Sequence, residues 1–361
     1  MKSVRFRGLC DVMRDMKGRI LLFILLAALG GGAQWKQITV ATKESFRGLS
    51  IVDASVIWVS GTNGAVIRTT DGGETWSVRT VAGAEKLDIR GIRAFDARTA
   101  VAMSSGKAED GAARIYRTED GGEKWQLVYE EKTPGIFFDA IGFWDRQHGI
   151  VLSDPVEGRF ALFTTKDGGK NWKKIAPARM PRALAGEGAF AASNSCLTVE
   201  GESRVWFGTG GAASARVFRS ADRGKTWEVA ETPLHPQNAS SGVFSVAFRD
   251  AKRGVAAGGD YGHPADSNLP NVMFTDDGGK TWRVGEETSP RGLYLSAVAY
   301  RPSSGDILAA GSAGMIFGAL GRGWARVSEE NINAIAYAND ATSWAVGPRG
   351  FVAHKILQHP N

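Results

Sequence analysis

The phrase RTTDGGETWSV, which begins at Arg68, returns as RTEDGGEKWQL from Arg117, TTKDGGKNWKK from Thr164, RSADRGKTWEV from Arg219 and FTDDGGKTWRV from Phe274. Each copy runs Ser/Thr, one residue, Asp, one residue, Gly, two residues, Trp. Five copies of one eight-residue pattern in 361 residues mean that the chain is built from repeated units stacked on their neighbours. A length that would otherwise suggest two or more domains is therefore compatible with one repetitive domain.

The stretches around the first copy define the unit. FRGLSIVD, VIWVSG, AVIRTT and TWSVRTV are short β-rich runs separated by turn residues, which predicts a four-stranded antiparallel meander. Asp71-Gly72-Gly73 falls in the turn between the third and fourth strands. Gly supplies positive φ there, and the Asp carboxylate can accept the backbone N–H groups of its own turn. Trp76 opens the outer strand and covers the turn. The equivalent tryptophans, at 35, 76, 125, 172, 227, 282 and 324, recur 41 to 55 residues apart, the spacing of propeller blades rather than of helical repeats. The sixth unit keeps Trp324 without the Asp, and the seventh, INAIAYANDATSWAVGPRGFVAHKI, stops after three strands. Residues 34–40, QWKQITV, read as the tail of the phrase without its turn, so they supply the missing outer strand beside FVAHKI. The expected fold is all-β: a seven-bladed β-propeller of four-stranded antiparallel blades, closed by an N-terminal strand. In it the phrase residues Asp71, Trp76, Asp120, Trp125, Asp167, Trp172, Asp222, Trp227, Asp277 and Trp282 are structural.

Before this propeller, expected over 34–361, residues 1–33 read as a signal peptide. Lys17 and Arg19 precede an apolar run from Ile20 to Leu29, followed by small residues up to Ala33. Ten apolar residues suit a signal-peptide core and are too few to span a bilayer, so export to the periplasm or medium with cleavage near Ala33 is expected. No Cys follows the run, which argues against a lipid anchor. The formal net charge of +6 is mostly this segment's: its six basic residues against Asp11 and Asp15 carry +4, which leaves +2. A basic balance with that origin gives no reason to expect nucleic acid. Cys10 lies in the same segment, so Cys196 remains alone and no intrachain disulfide is expected.

Residues Thr69–Trp76, Ser220–Trp227 and Thr275–Trp282 match the Ser/Thr-x-Asp-x-Gly-x-Thr-Trp pattern in full; the copies ending at Trp125 and Trp172 carry Lys124 and Asn171 in place of the Thr. The pattern resembles the Asp-box, or BNR repeat, of sialidases and related propellers, in which these boxes are structural and lie away from any active site. The whole mature chain, through FDAIGFWD, LSDPVEGRF, GEGAFAASNS, WFGTGG and AAGGDYG, is similar to exported seven-bladed propellers related to the photosystem II assembly/stability factor of chloroplasts and cyanobacteria. Bacterial relatives of that kind often carry oxidoreductase or glycosyl hydrolase labels. The resemblance specifies the fold far better than the function.

Chemistry has few anchors. Gly208-Thr209-Gly210-Gly211 lies in a β-meander, without the strand-to-helix context of a phosphate cradle. There is no C-x-x-C or H-E-x-x-H, and the five His residues are scattered, so neither a metal nor any other cofactor is expected and the oxidoreductase label has no motif behind it. Sialidase chemistry needs an Arg cluster, a Tyr nucleophile with a Glu partner and an acid/base Asp, and the N-terminal Arg-Ile-Pro phrase typical of that family is absent. Topology nevertheless singles out one face. With the Asp-boxes on the turns between third and fourth strands, the turns between second and third strands and the blade connectors lie opposite. Onto that rim fall Asp139, Asp154, Arg182, Glu187, Arg216, Asp260, Tyr261, Arg291 and Tyr294, the candidate ligand-binding residues at the mouth of the central channel. Taken singly, each Asp or Arg there has an ordinary reading as a turn former or surface charge. The expected function is a non-enzymatic binding or assembly/stability factor, monomeric, taking a protein segment or carbohydrate-like ligand and meeting membranes only through a partner. The alternative is a glycan hydrolase with carboxylates among Asp139, Asp154, Glu187 and Asp260, which requires those groups to be free of protein partners.

Overall fold

A computed structural model describes residues 35–356, apart from 178, 237, 266–267, 286–291 and 320–322. Its strands form seven separate four-stranded antiparallel sheets, six of them simple meanders in chain order. Blade 1 is typical: Phe46–Ile51 is the inner strand, followed outward by Ile57–Gly61, Ala65–Thr69 and Ser77–Thr80. Second strands are almost wholly buried, inner strands mix buried and half-buried residues, and outer strands such as Ser77–Thr80 run from half-buried to exposed. This gradient explains why the second strands read as continuous apolar runs and the outer ones do not. The inner strands of successive blades pack on one another around the whole ring, including Phe46–Ile51 against Ala334–Tyr337 of blade 7.

Closure follows the expectation. Lys36–Ile38 pairs antiparallel with Val352–Ile356, Lys36 opposite His354 and Ile38 opposite Val352, and so completes blade 7. The same junction is tied at its centre, where the Phe46 N–H donates to the Gly347 carbonyl (3.0 Å) and Asn333 Nδ2 to the Phe46 carbonyl (2.8 Å). The residues of the proposed signal peptide lie outside the described residues.

The five Asp-boxes are turns with one bonding scheme. Thr69 Oγ1 donates to Asp71 (2.6 Å) and accepts the Gly73 N–H (2.9 Å), while Asp71 accepts the Thr75 N–H at 3.0 Å. The first two bonds recur around Thr118, Thr165, Ser220 and Thr275. Hydrogen bonds from Thr69, then Thr75, hold the Asp71 carboxyl well below the usual range. The second Gly of each box also faces the blade before it. A Cβ on Gly73 would come 2.6 Å from Trp344, and one on Gly169 2.8 Å from Val101. Gly122, Gly224 and Gly279 stand likewise against Trp58, Ile150 and Trp206. The first Gly meets only a carbonyl of its own blade at Gly72, Gly168 and Gly278, although Gly121 meets Arg68 of blade 1, and in the fourth box Arg223 takes its place at φ 61°. The box is therefore a staple between blades as well as a turn.

Candidate functional site

In four blades the inner strand slips register by one residue near its start: between Phe46 and Gly48, Ile89 and Gly91, Phe138 and Ala140, and Val243 and Ser245. The extra residues are Arg47, Arg90, Asp139 and Phe244. A β-bulge re-aims the side chain it adds, and all four side chains line one pocket of about 510 Å³. In blades 1 and 2 the residue after the bulge is glycine for a steric reason. A Cβ on Gly48 would strike Ser60 Oγ at 2.2 Å, and one on Gly91 would strike Asn194 Oδ1 at 2.7 Å.

The floor of this pocket is the connector between blades 3 and 4. Residues 189–195, AFAASNS, run across the channel as a plug and are held by five blades. The Ala192 carbonyl accepts Arg47 Nη1 from blade 1 (3.1 Å), and the Ala191 carbonyl accepts Arg90 Nη1 from blade 2 (3.0 Å). Asn194, at φ 63°, accepts the Ile141 N–H (2.8 Å) and donates to the Ile141 carbonyl (3.1 Å), mimicking a strand partner for blade 3. Ser195 Oγ meets Ser245 Oγ of blade 5 at 2.7 Å, and Ser193 Oγ donates to the Ser296 carbonyl of blade 6 at 2.6 Å. The plug separates the mouth pocket from a second cavity of about 340 Å³ on the Asp-box side, which Asn194, Arg93 and Glu200 line.

One wall of the mouth pocket is acidic. Asp154, at the end of the second strand of blade 3, accepts the Ala189 N–H of the plug at 2.9 Å. Burial raises its pKa to about 6, against that hydrogen bond. Asp139 is buried, and its Oδ2 has no hydrogen-bond partner among the described residues. Burial pushes Asp139 far above the usual carboxyl range, the Asp154 charge adds to this, and the Arg90 guanidinium opposes it. The opposite wall is aromatic. Phe190 stacks on Phe244 at 4.0 Å, while Tyr294 and Tyr261 stand edge-on to Phe244 at 4.8 and 6.0 Å. Tyr261 is 54% exposed and forms the outer lip. Burial lifts the Tyr294 phenol to about 12, away from a nucleophilic phenolate. No group of three or more His, Cys, Asp and Glu side chains able to hold a metal ion occurs among the described residues.

Residues 29–173 match the sequence family described as photosynthesis system II assembly factor YCF48. The chain resembles the Ycf48 family. A photosystem II assembly protein Ycf48 from Thermosynechococcus vestitus is 24% identical over 359 aligned positions, covering 85% of this chain and 91% of that protein. A photosystem II assembly lipoprotein Ycf48 from Synechococcus is 30% identical over 102 positions, 27% of this chain and only 28% of that protein. A solved structure of YCF48 bound to D1 peptide superposes with a TM-score of 0.64 at 18% identity, covering 91% of this chain and 98% of the other; it shows the shared propeller.

In this Ycf48-like propeller the nine rim residues read from sequence divide into groups. Asp139, Asp154, Tyr261 and Tyr294 come together in the mouth pocket. Glu187 and Arg216 do not; they form a buried ion pair beside it. Arg216 Nε donates to Glu187 at 2.9 Å, Thr209 Oγ1 adds a bond at 2.6 Å, and the Leu184 N–H another at 2.8 Å. Arg182 offers its backbone carbonyl to Arg216 (2.9 Å) while its side chain is exposed. Asp260 ties its own turn to the preceding connector, accepting Asn238 Nδ2 (2.8 Å) and Ser240 Oγ (2.5 Å) from the connector and the Gly262 N–H (2.8 Å) and His263 Nδ1 (3.0 Å) from the turn. Burial alone raises the Asp260 pKa, but those bonds outweigh it and hold the group ionised. Arg291 lies outside the described residues. Sequence reasoning missed Arg47, Arg90, Phe190 and Phe244. The signal for three of them was present as an apolar–X–small triplet at the head of blades 1, 2 and 5 (FRG, IRG, VFS), repeated as FDA in blade 3.

Proposed function

We propose that the protein is an exported, non-enzymatic propeller that holds a polypeptide segment at its channel mouth and acts as an assembly or stability factor for an envelope or membrane-protein complex. The observation that carries this reading is the mouth pocket itself. It is an open cavity with a plugged floor, an aromatic lip and bulge-presented charged groups, suited to hold a side chain or chain end while the rest of a partner lies over the rim. The assembly role named for the Ycf48 relatives, and the D1 peptide bound by the superposed YCF48, favour the same reading. Export rests on the N-terminal apolar run, and a monomer suffices because one chain closes the ring.

Hydrolase chemistry fits the site poorly. Glu187 and Asp260 are spent on protein partners, no Glu lines the pocket among the described residues, and Tyr294 is shifted against ionisation. A single observation speaks for the hydrolase: Asp154, with its pKa near 6, has the protonation behaviour of a general acid.

The test is recovery of detergent-solubilised envelope complexes on the immobilised protein, wild type against Tyr261→Ala combined with Arg90→Ala. Loss of a defined membrane-protein partner in the variant is expected, and equal recovery would count against the mouth. Release of fluorophore from aryl glycosides, lost on Asp154→Asn, would instead revive the hydrolase.

A further inference from the structure

We infer that the Asp139–Asp154 wall is a subsite for a basic group, the ammonium of a lysine or the guanidinium of an arginine carried by the bound polypeptide. The inference rests on the polypeptide-binding reading above for its ligand, but its chemistry stands on the pocket alone. Two carboxyl groups from adjacent strands of blade 3 face one cavity. One is 1% exposed and has an oxygen without a hydrogen-bond partner among the described residues, a costly arrangement for a native chain to keep. The bulge at Asp139 is what brings its side chain to this wall instead of into the packing between blades 3 and 4.

A basic group answers each feature of the wall. It supplies several N–H donors at once, so one ligand can serve the free Asp139 oxygen and the Asp154 oxygen left over from its bond to Ala189. It also cancels the mutual repulsion of two carboxylates in one site, which a neutral donor leaves in place. Neither neighbouring guanidinium does this within the protein. Arg90 is paired with Asp88 at 2.7 Å and bonded to the plug, and Arg47 is bonded to the plug. The aromatic side chains across the pocket give the aliphatic stem of a lysine or arginine an apolar surface to lie on.

The site also predicts its own pH response. Asp139 and Asp154 are shifted upward by burial, with Arg90 and Arg47 on the neighbouring inner strands, Cys196 behind Asp139, and Tyr294 and Tyr261 across the pocket as the other titratable or charged groups. A cation must draw a proton off the wall, so its binding strengthens as pH rises from 5 to 8, about tenfold if one proton is released across part of that range.

The experiment is an amide-resolved NMR titration of the full chain with n-butylamine, butylguanidine and n-butanol, repeated on Asp139→Asn combined with Asp154→Asn. The two cations are expected to shift the Ala189 and Phe137 amides, butanol to leave them, and the double variant to bind the cations about tenfold more weakly while melting no lower than wild type. Equal response to butanol, or undiminished binding by the folded double variant, would overturn the subsite. A random-peptide display on the same two proteins separates the two readings. Peptides captured at the mouth without enrichment of Lys or Arg sink the subsite and leave peptide binding standing. Binding of the small cations with no peptide captured does the reverse.

Discussion

The second glycine of the Asp-box shows how one position can be constrained twice. Gly73 sits at φ 94° and faces Trp344 of the preceding blade, whereas Gly72, at φ 73°, faces only a carbonyl at 3.4 Å. Arg223 demonstrates that a non-glycine residue is accepted at the first position. Gly73→Ala is therefore expected to cost about 2–4 kcal/mol, combining backbone strain with overpacking, and Gly72→Asn less than about 1 kcal/mol. Denaturant midpoints of the two variants check the ranking; equal loss would refute the inter-blade role. Asp154 provides the second prediction. Its folded pKa of about 6 lies above the ordinary carboxyl value of about 3.9, so the folded state binds its proton more tightly than the unfolded chain. The resulting stability is fully present below about pH 4 and is lost as pH rises through 6, about 2–3 kcal/mol in all. Asp154→Asn, which can still accept the Ala189 N–H, is expected to melt higher than wild type at pH 7.5 and level with it near pH 4. Parallel melting curves across that range would contradict the shift.

At the scale of an element, the plug behaves as an extra partial strand for several blades at once. Asn194 satisfies both the N–H and the carbonyl of Ile141, a pairing that Ala cannot supply and that also requires a positive φ. Asn194→Ala is expected to destabilise by about 2–3 kcal/mol and to raise hydrogen exchange first at Ile141 and along Phe138–Phe143. Because that strand carries Asp139, loosened exchange there should accompany weaker ligand binding at the mouth. Exchange rising uniformly around the ring would mean that the plug has no local role. The inner-strand bulges belong to this scale as well. They decide that alternate side chains of blades 1, 2, 3 and 5 meet above the plug, where regular strands would have sent them into the blade-to-blade packing.

For the whole molecule, the decisive contact is the one that joins its two ends. Lys36–Ile38 covers the edge of Val352–Ile356, and around it Trp344, Phe46, Ile57 and Val352 pack at zero exposure between blades 7 and 1. Removing residues 35–40 uncovers a β-edge beside that core, so the shortened protein is expected to melt at least about 5 °C lower and to self-associate. Light scattering and melting temperature measured together test this. A monomer of undiminished stability would mean that the ring closes through its inner strands alone. Trp344→Ala probes the same seam from inside, with an expected loss of about 3–5 kcal/mol.

The repeated phrase carried the architecture because its determinants are local. A Thr, an Asp and a Gly within five residues make the turn by themselves, and the Trp spacing counts the blades. Even the terminal closure was legible, since QWKQITV repeats the tail of a pattern met five times elsewhere. The face that bears the mouth pocket followed from strand order, and that order placed Asp139, Asp154, Tyr261 and Tyr294 on the rim where the pocket lies. What the one-dimensional pattern did not disclose is which rim charges are spent. Glu187 finds Arg216 29 positions away and Asp260 is saturated by its own turn together with Asn238 and Ser240 of the preceding connector, while Asp139 keeps an oxygen without a partner among the described residues. Nor did it disclose that AFAASNS crosses the channel. The rim pairings depend on how each connector folds back on its neighbouring blade, and the plug depends on contacts with blades remote in sequence, Arg47 and Arg90 on one side and Ser296 on the other, which no local pattern encodes.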